Sequence, residues 1–196
     1  MSREGTVGIF SRDTRESYKW ISDFLIGLSF VKDTKCFYIT NKRSVKEDVK
    51  KCKFAILYHT KNRGRTNVTD VLDSLYHEEL NDLFSALGKS NVIVIIDDLE
   101  DSSDQEKERI QLEQRSIKEK ATGLFLFNIK DKFTDSNMER NLQEIEYLIR
   151  RSFQLIGFQT GTLAMGHCLK CMTVPGLLVI VYVSVCLYYN HNLIPW

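Results

Sequence analysis

Proline is nearly missing from this chain. Its only two prolines, Pro175 and Pro195, lie near one end, so no proline-rich linker divides the residues before them. The five cysteines (Cys36, Cys52, Cys168, Cys171 and Cys186) are odd in number and scattered. That pattern excludes a disulfide framework as the organising principle and suits a reducing compartment. An excess of one charge is also absent: 27 Lys and Arg face 26 Asp and Glu. This argues against a general polyanion binder, and nucleic acid is not an expected partner. There are no internal repeats. The opening residues, Met-Ser-Arg-Glu-Gly-Thr, carry charge and no apolar run, so no cleavable signal peptide is expected. Ser2 stands where N-myristoylation would require glycine. Acidic residues stop at Glu146, and beyond Arg151 the only formal side-chain charge is Lys170. The chain therefore changes character near residue 151.

Short β-rich runs and longer helical patterns alternate before that point. Strands are expected at Val7–Phe10, Cys36–Ile39, Phe54–Tyr58, Val92–Ile96 and Leu124–Phe127. Val92–Ile96 is five consecutive β-branched residues, as expected for a strand covered on both faces. Helices are expected at Arg15–Leu28, Val71–Leu87 and Met138–Phe153. Trp20, Ile21, Phe24, Leu25 and Leu28 fall on one face of the first. Leu72, Leu75, Leu80, Leu83, Phe84 and Leu87 form the stripe of the second, with Gly88 as its C-cap, and Leu142, Ile145, Leu148 and Ile149 face inward on the third. The highly charged Asp101–Lys120 reads as a solvated loop and helix. The alternation predicts an α/β fold with a five-stranded, doubly wound parallel sheet of flavodoxin-like order 2-1-3-4-5 and a C-terminal hydrophobic helix.

That hydrophobic helix is Met172–Tyr189, which holds no charge. At about 1.5 Å per residue it spans roughly 27 Å, close to the hydrocarbon thickness of a thin bilayer. Arg150, Arg151 and Lys170 precede it and no Lys or Arg follows, so the positive-inside rule keeps the N-terminal domain in the cytosol. Pro175, Gly176 and the β-prone Val-Ile-Val-Tyr-Val-Ser-Val stretch leave open a core element or a terminus without a selected role. The expected organisation is a cytosolic domain over 1–158, a juxtamembrane segment over 159–171, a single-pass tail anchor over 172–189 and a short lumenal or extracellular tail over 190–196. Cys168 and Cys171 are placed for juxtamembrane lipidation; as a Cys-x-x-Cys pair they lack the second pair a zinc site needs.

In a doubly wound sheet, ligands bind beyond the carboxyl ends of the strands. That edge should carry Ser11, Arg12 and Asp13, then His59, Thr60 and Lys61, then Asp97 and Asp98, then Asn128 and Lys130. Lys61, Arg63 and Arg65 form a basic loop suited to phosphate or an acidic partner, or simply to water. His59 and His77 fit satisfied structural histidines better than ligands, because no second histidine stands at metal spacing. The Val-Ile-Val-Ile-Ile-Asp97-Asp98 strand resembles a Walker B strand, but the phosphate cradle G-x-x-x-x-G-K-[ST] is missing. A phosphate-accepting receiver would need an Asp after the third strand, which ends at His59 instead.

Val7-Gly-Ile-Phe-Ser-Arg-Asp13 followed by Tyr18-Lys-Trp20-Ile resembles the opening strand and first helix of TIR domains. Lys53-Phe-Ala-Ile-Leu-Tyr-His59 resembles their third strand, and Glu78-Glu79-Leu80 falls where those domains often carry an acidic residue before an apolar helix. The resemblance covers roughly residues 6–152. In place of the family's proline-containing loop after the second strand stands Asn41-Lys-Arg-Ser-Val, which puts docking through that loop in doubt. Some TIR-like domains cleave NAD with a glutamate on the helix after the third strand, and the resemblance implies Glu78 or Glu79 for that role. Such a carboxylate would stabilise the oxocarbenium charge that develops on the ribose. The expectation is therefore a membrane-tethered cytosolic module acting through protein contacts, with no cofactor and no metal. The alternative is a TIR-like NAD nucleosidase, with NAD as its substrate.

Overall fold

The computed structural model describes residues 5–40, 45–64, 66–72, 74–129 and 135–168, with side chains in the last stretch described over 137–154. Five strands, β1 (Gly5–Ser11), β2 (Val31–Tyr38), β3 (Phe54–Thr60), β4 (Val92–Leu99) and β5 (Gly123–Asn128), form one sheet of order β2-β1-β3-β4-β5. Every neighbouring pair is parallel. The helices are α1 (Lys19–Gly27), α2 (Lys46–Val49), α3 (His77–Leu87), α4 (Asp104–Glu113), α5 (Arg115–Lys120) and α6 (Asp135–Cys168). This is the flavodoxin-like α/β arrangement that the alternating pattern predicts. The chain divides into two units, Met1–Leu155 and Ile156–Trp196. The sheet and α1 to α5 belong to the first; of the second, the helical backbone to Cys168 is described.

Strand side chains alternate between the two faces, which sorts the core into two layers. Phe10, Leu57, Val94, Ile96 and Leu126 pack with Val49, Leu80, Leu83, Ile110 and Ile117 from α2 to α5. Val7, Ile9, Ile56, Ile95 and Phe127 pack on the other face with Ile21 and Leu25 of α1 and Ile145 and Ile149 of α6. β3 is buried along its whole length, so both of its faces are covered. Burying each Val, Leu, Ile or Phe contributes about 1.5–3 kcal/mol. At Gly8 the chain runs close: a Cβ there would lie 2.7 Å from the Phe10 ring and 2.8 Å from the Cys52 sulfur.

Several boundaries differ from expectation for identifiable reasons. α3 begins at His77 and not at Val71, because residues 66–72 and 74–76 make other bonds. The Val68 and Thr69 N–H groups donate to Gln114 Oε1 at 2.8 and 3.0 Å, and the Tyr76 N–H donates to the Val68 carbonyl at 2.9 Å. Asp70 takes the left-handed region at φ 62°. Leu72 consequently leaves the helical stripe and is 87% exposed. α1 begins at Lys19, since Thr14 to Tyr18 form turns. The short helix α2 lies inside the charged Lys42–Lys53 segment, where Val45, Val49 and Cys52 carry the apolar signal. β4 continues through Asp97 and Asp98 to Leu99 with a register shift against β5, and Asp98 absorbs the irregularity at φ 57°. Gly88 does cap α3, at φ 77°.

Among the described residues, no helix is long and apolar enough to cross a membrane. The expected anchor Met172–Tyr189, with Cys171, Arg65 and Lys130, lies outside the described residues, as does the side chain of Cys168.

Candidate functional site

The carboxyl edge of the sheet gathers most of the residues expected there, and each carboxylate among them is held by donors from this chain. At the end of β1, Ser11 is fully buried and Asp13 nearly so. Ser11 Oγ donates to Asp13 Oδ2 at 3.2 Å and accepts the Asp13 N–H at 3.0 Å. The Thr60 N–H reaches the same carboxylate at 3.2 Å from the end of β3. Arg63 Nε closes on Asp13 Oδ1 at 2.5 Å, while its Nη2 donates to the Arg12 carbonyl. Arg63 arrives there because a one-turn helix over Lys61–Arg63 follows β3, capped by the Thr60 side chain and ended by Gly64 at φ 93°. The Asp13–Arg63 pair thus pins the loop after β1 to the loop after β3.

Arg12 points the other way. Its Nη2 lies 2.6 Å from Glu79 Oε1, its Nε donates to the Leu75 carbonyl at 3.0 Å, and its guanidinium stacks 5.6 Å from the Tyr76 ring centre. The Tyr76 hydroxyl accepts the Arg12 N–H at 3.3 Å. Burial, and then the negative charge of Asp13, push the Tyr76 phenol up from its ordinary value. His59, within β3 and fully buried, meets Tyr76 edge-on at 5.6 Å. Glu79 sits in the first turn of α3 with a side chain only 14% exposed, whereas its neighbour Glu78 faces solvent.

The two aspartates ending the β-branched run divide between structural ties. Asp97 is fully buried; it accepts the Tyr58 hydroxyl, Trp20 Nε1 at 3.0 Å and the Asp98 N–H at 2.6 Å. The Tyr58 oxygen also lies 2.7 Å from the Ser17 carbonyl. Burial, then the adjacent Asp97 charge, drives the Tyr58 phenol far up. Asp97 therefore fastens the start of α1 to β3 and β4. Asp98 takes Thr60 Oγ1 at 2.6 Å and Asn62 Nδ2 at 2.8 Å. Lys61 reaches out to Glu100 at 2.7 Å.

A second tie lies beside this edge. Gln114 between α4 and α5, 1% exposed, accepts the Val68 and Thr69 N–H groups and donates to the Thr66 carbonyl at 2.9 Å. Asp70 accepts both the N–H and the hydroxyl of Ser116 at 2.5 Å. His77 Nδ1 stands 2.9 Å from Thr69 Oγ1. His77 thus joins a hydrogen-bonded loop, as a structural histidine would.

Ser11, Arg12, Asp13, Arg63 and Glu79 are brought together, and His59 lies behind them. Asp97 and Asp98 belong to a neighbouring network reached through Thr60. Sequence reasoning did not single out Tyr58, Tyr76 and Gln114, and placed Trp20 only on the apolar face of α1. Among the described residues no group of three or more His, Cys, Asp or Glu could hold a metal ion. No protein family and no curated protein matches the chain.

Proposed function

We propose that the 1–158 domain is a non-enzymatic signalling or scaffold module that works through protein contacts and is tethered to a membrane by Met172–Tyr189. One observation carries the first half of this reading. The carboxylates at the ligand-binding edge are engaged by the chain's own donors, two of them by guanidinium groups at 2.5 and 2.6 Å. A general base or an oxocarbenium-stabilising carboxylate needs an open face toward substrate. The ion pairs instead stiffen the loops after β1 and β3 and the start of α3, which gives a fixed surface for a partner. The tether rests on the length, apolarity and flanking charge of Met172–Tyr189. The full chain should stay with membranes through alkaline extraction and a chain truncated after Gln159 should not; release of both would refute the tether.

A TIR-like NAD nucleosidase is the second reading. The strand order and the partly shielded position of Glu79 at the carboxyl edge favour it. Catalysis would require Arg12 to release Glu79. Incubation of the full chain with NAD decides: the module reading predicts no nicotinamide release. Release abolished by Glu79→Ala or Glu78→Ala would overturn it.

A further inference from the structure

The outer surface of α6 carries a pattern with its own symmetry. Glu139, Gln143, Glu146 and Arg150 recur at spacings of four, three and four, which sets them in one straight row along the helix. Glu139 and Gln143 are exposed, and Glu146 and Arg150 are partly so. Beside the row, Phe24 of α1 with Met138 and Leu142 of α6 lines a groove of about 370 Å³ whose polar rim is Glu139, Gln143 and Glu146. Tyr147, 59% exposed, flanks the row on its other side.

We infer that this face pairs two copies of the chain, with α6 antiparallel to α6 about a two-fold axis near residues 144 and 145. The row fits a second copy in that orientation. Residues whose numbers are symmetric about the axis meet, so Glu139 of one copy faces Arg150 of the other, twice, and Gln143 faces Glu146, twice. A two-fold interface needs this self-complementarity, and the reverse, parallel arrangement would oppose like with like. Arg150 already holds Glu146 of its own chain at 2.7 Å and stacks 4.2 Å from the Phe30 ring. It is thus fixed where a second carboxylate can join it. A position beside the row lies on the same flank of the seam as its symmetry mate. Leu142 of each copy therefore borders the seam on the α1 side, the two about 7.5 Å apart along the helices, and the two grooves open on that same side. The pairing is a weak, salt-sensitive association, because its charge pairs sit at the surface.

This inference rests on the interaction-module reading and names one partner for it. The test is sedimentation equilibrium of the full chain in a density-matched detergent, over a concentration series at low salt. The chain should move from 22.8 kDa toward twice that mass. Glu139→Arg should weaken association at least tenfold without lowering the melting temperature, since Glu139 is exposed and, among the described residues, bonded only to Gln143 at 3.2 Å. Arg150→Glu should weaken it likewise. An equimolar mixture of the two single variants should associate again, because both cross-pairs regain opposite charge. A wild-type chain monomeric throughout, an unaffected Glu139→Arg chain, or a mixture that stays monomeric would each overturn the pairing. If Arg150→Glu fails to fold, Glu139→Arg decides alone. A monomeric chain that leaves NAD intact refutes the pairing and spares the module reading; a dimeric chain that cleaves NAD does the reverse.

Discussion

Replacing Asp97 by alanine should destabilise the α/β domain by about 3–5 kcal/mol. The carboxylate is fully buried and accepts the Tyr58 hydroxyl, the Trp20 indole N–H and the Asp98 N–H. The charge-assisted bond from Tyr58 accounts for roughly 1.5–3 kcal/mol, and a donor left without its acceptor costs about 1–3 kcal/mol. Tyr58 keeps the Ser17 carbonyl at 2.7 Å, so the second cost falls on the Trp20 indole N–H and the Asp98 N–H. A chain of this size loses roughly 2–4 °C per kcal/mol, so the melting temperature should fall by roughly 6–20 °C. Asp97→Asn keeps one carbonyl acceptor and should cost about 1–2 kcal/mol. Urea unfolding of wild type and both variants measures the differences, and a Mg²⁺ titration of the wild-type midpoint checks the role. The structural tie predicts no Mg²⁺ effect. A loss below about 1 kcal/mol for Asp97→Ala, or a wild-type midpoint raised by Mg²⁺ and not raised in the variant, would refute the reasoning.

Gly8→Ala should cost about 1–3 kcal/mol, read by the same unfolding assay, because its Cβ would meet the Phe10 ring and Cys52 sulfur well inside van der Waals contact. Burial pushes the Cys52 thiol up to about 12, so the folded chain keeps its proton while the unfolded chain loses it near 9.0. The thiol's contribution is therefore complete below pH 9.0 and is lost as pH rises toward about 12; Cys52→Ala should flatten that part of the stability profile. Of Cys36 and Cys52, an alkylating reagent should label Cys36 first at neutral pH, as mass spectrometry of the digested protein would show. Gln114→Ala removes the acceptor of two buried N–H groups, which should cost about 2–3 kcal/mol and raise hydrogen exchange selectively over Thr66–Thr69.

How much was readable depended on how local the cause was. Val92–Ile96 is β-branched throughout, so its place as an interior strand followed from five adjacent residues. The α1 stripe likewise follows from spacing alone, and Ile21 and Leu25 are buried where the period puts them. The start of α3 was not local. Leu72 has the right period for the stripe, but its segment is claimed by Gln114, whose side chain lies 45 and 46 positions from the amides it accepts. The edge residues divide in the same way. Strand ends told which side chains gather there, but not that Arg12 would take Glu79 across 67 positions or that Asp97 would turn inward to Trp20 across 77. Opposite charges in one edge list were the only available sign of that closure. A list does not say which acid meets which base.

The strand order also bears on how the chain is made. β3 adds beside β1, β4 beside β3 and β5 beside β4, so after the first pair each new strand docks on an edge its predecessors have left open. No strand must wedge between two that are already joined. The sheet can therefore extend outward as the chain leaves the ribosome, N-terminal elements first. One face cannot be finished on that schedule. Val7, Ile9 and Ile95 wait for Ile145, Ile149 and Phe153 of α6, which emerge after all five strands. A chain stalled before α6 would hold a built sheet with one side covered by α1 alone, and the bare part of that side is where a holding chaperone would find it.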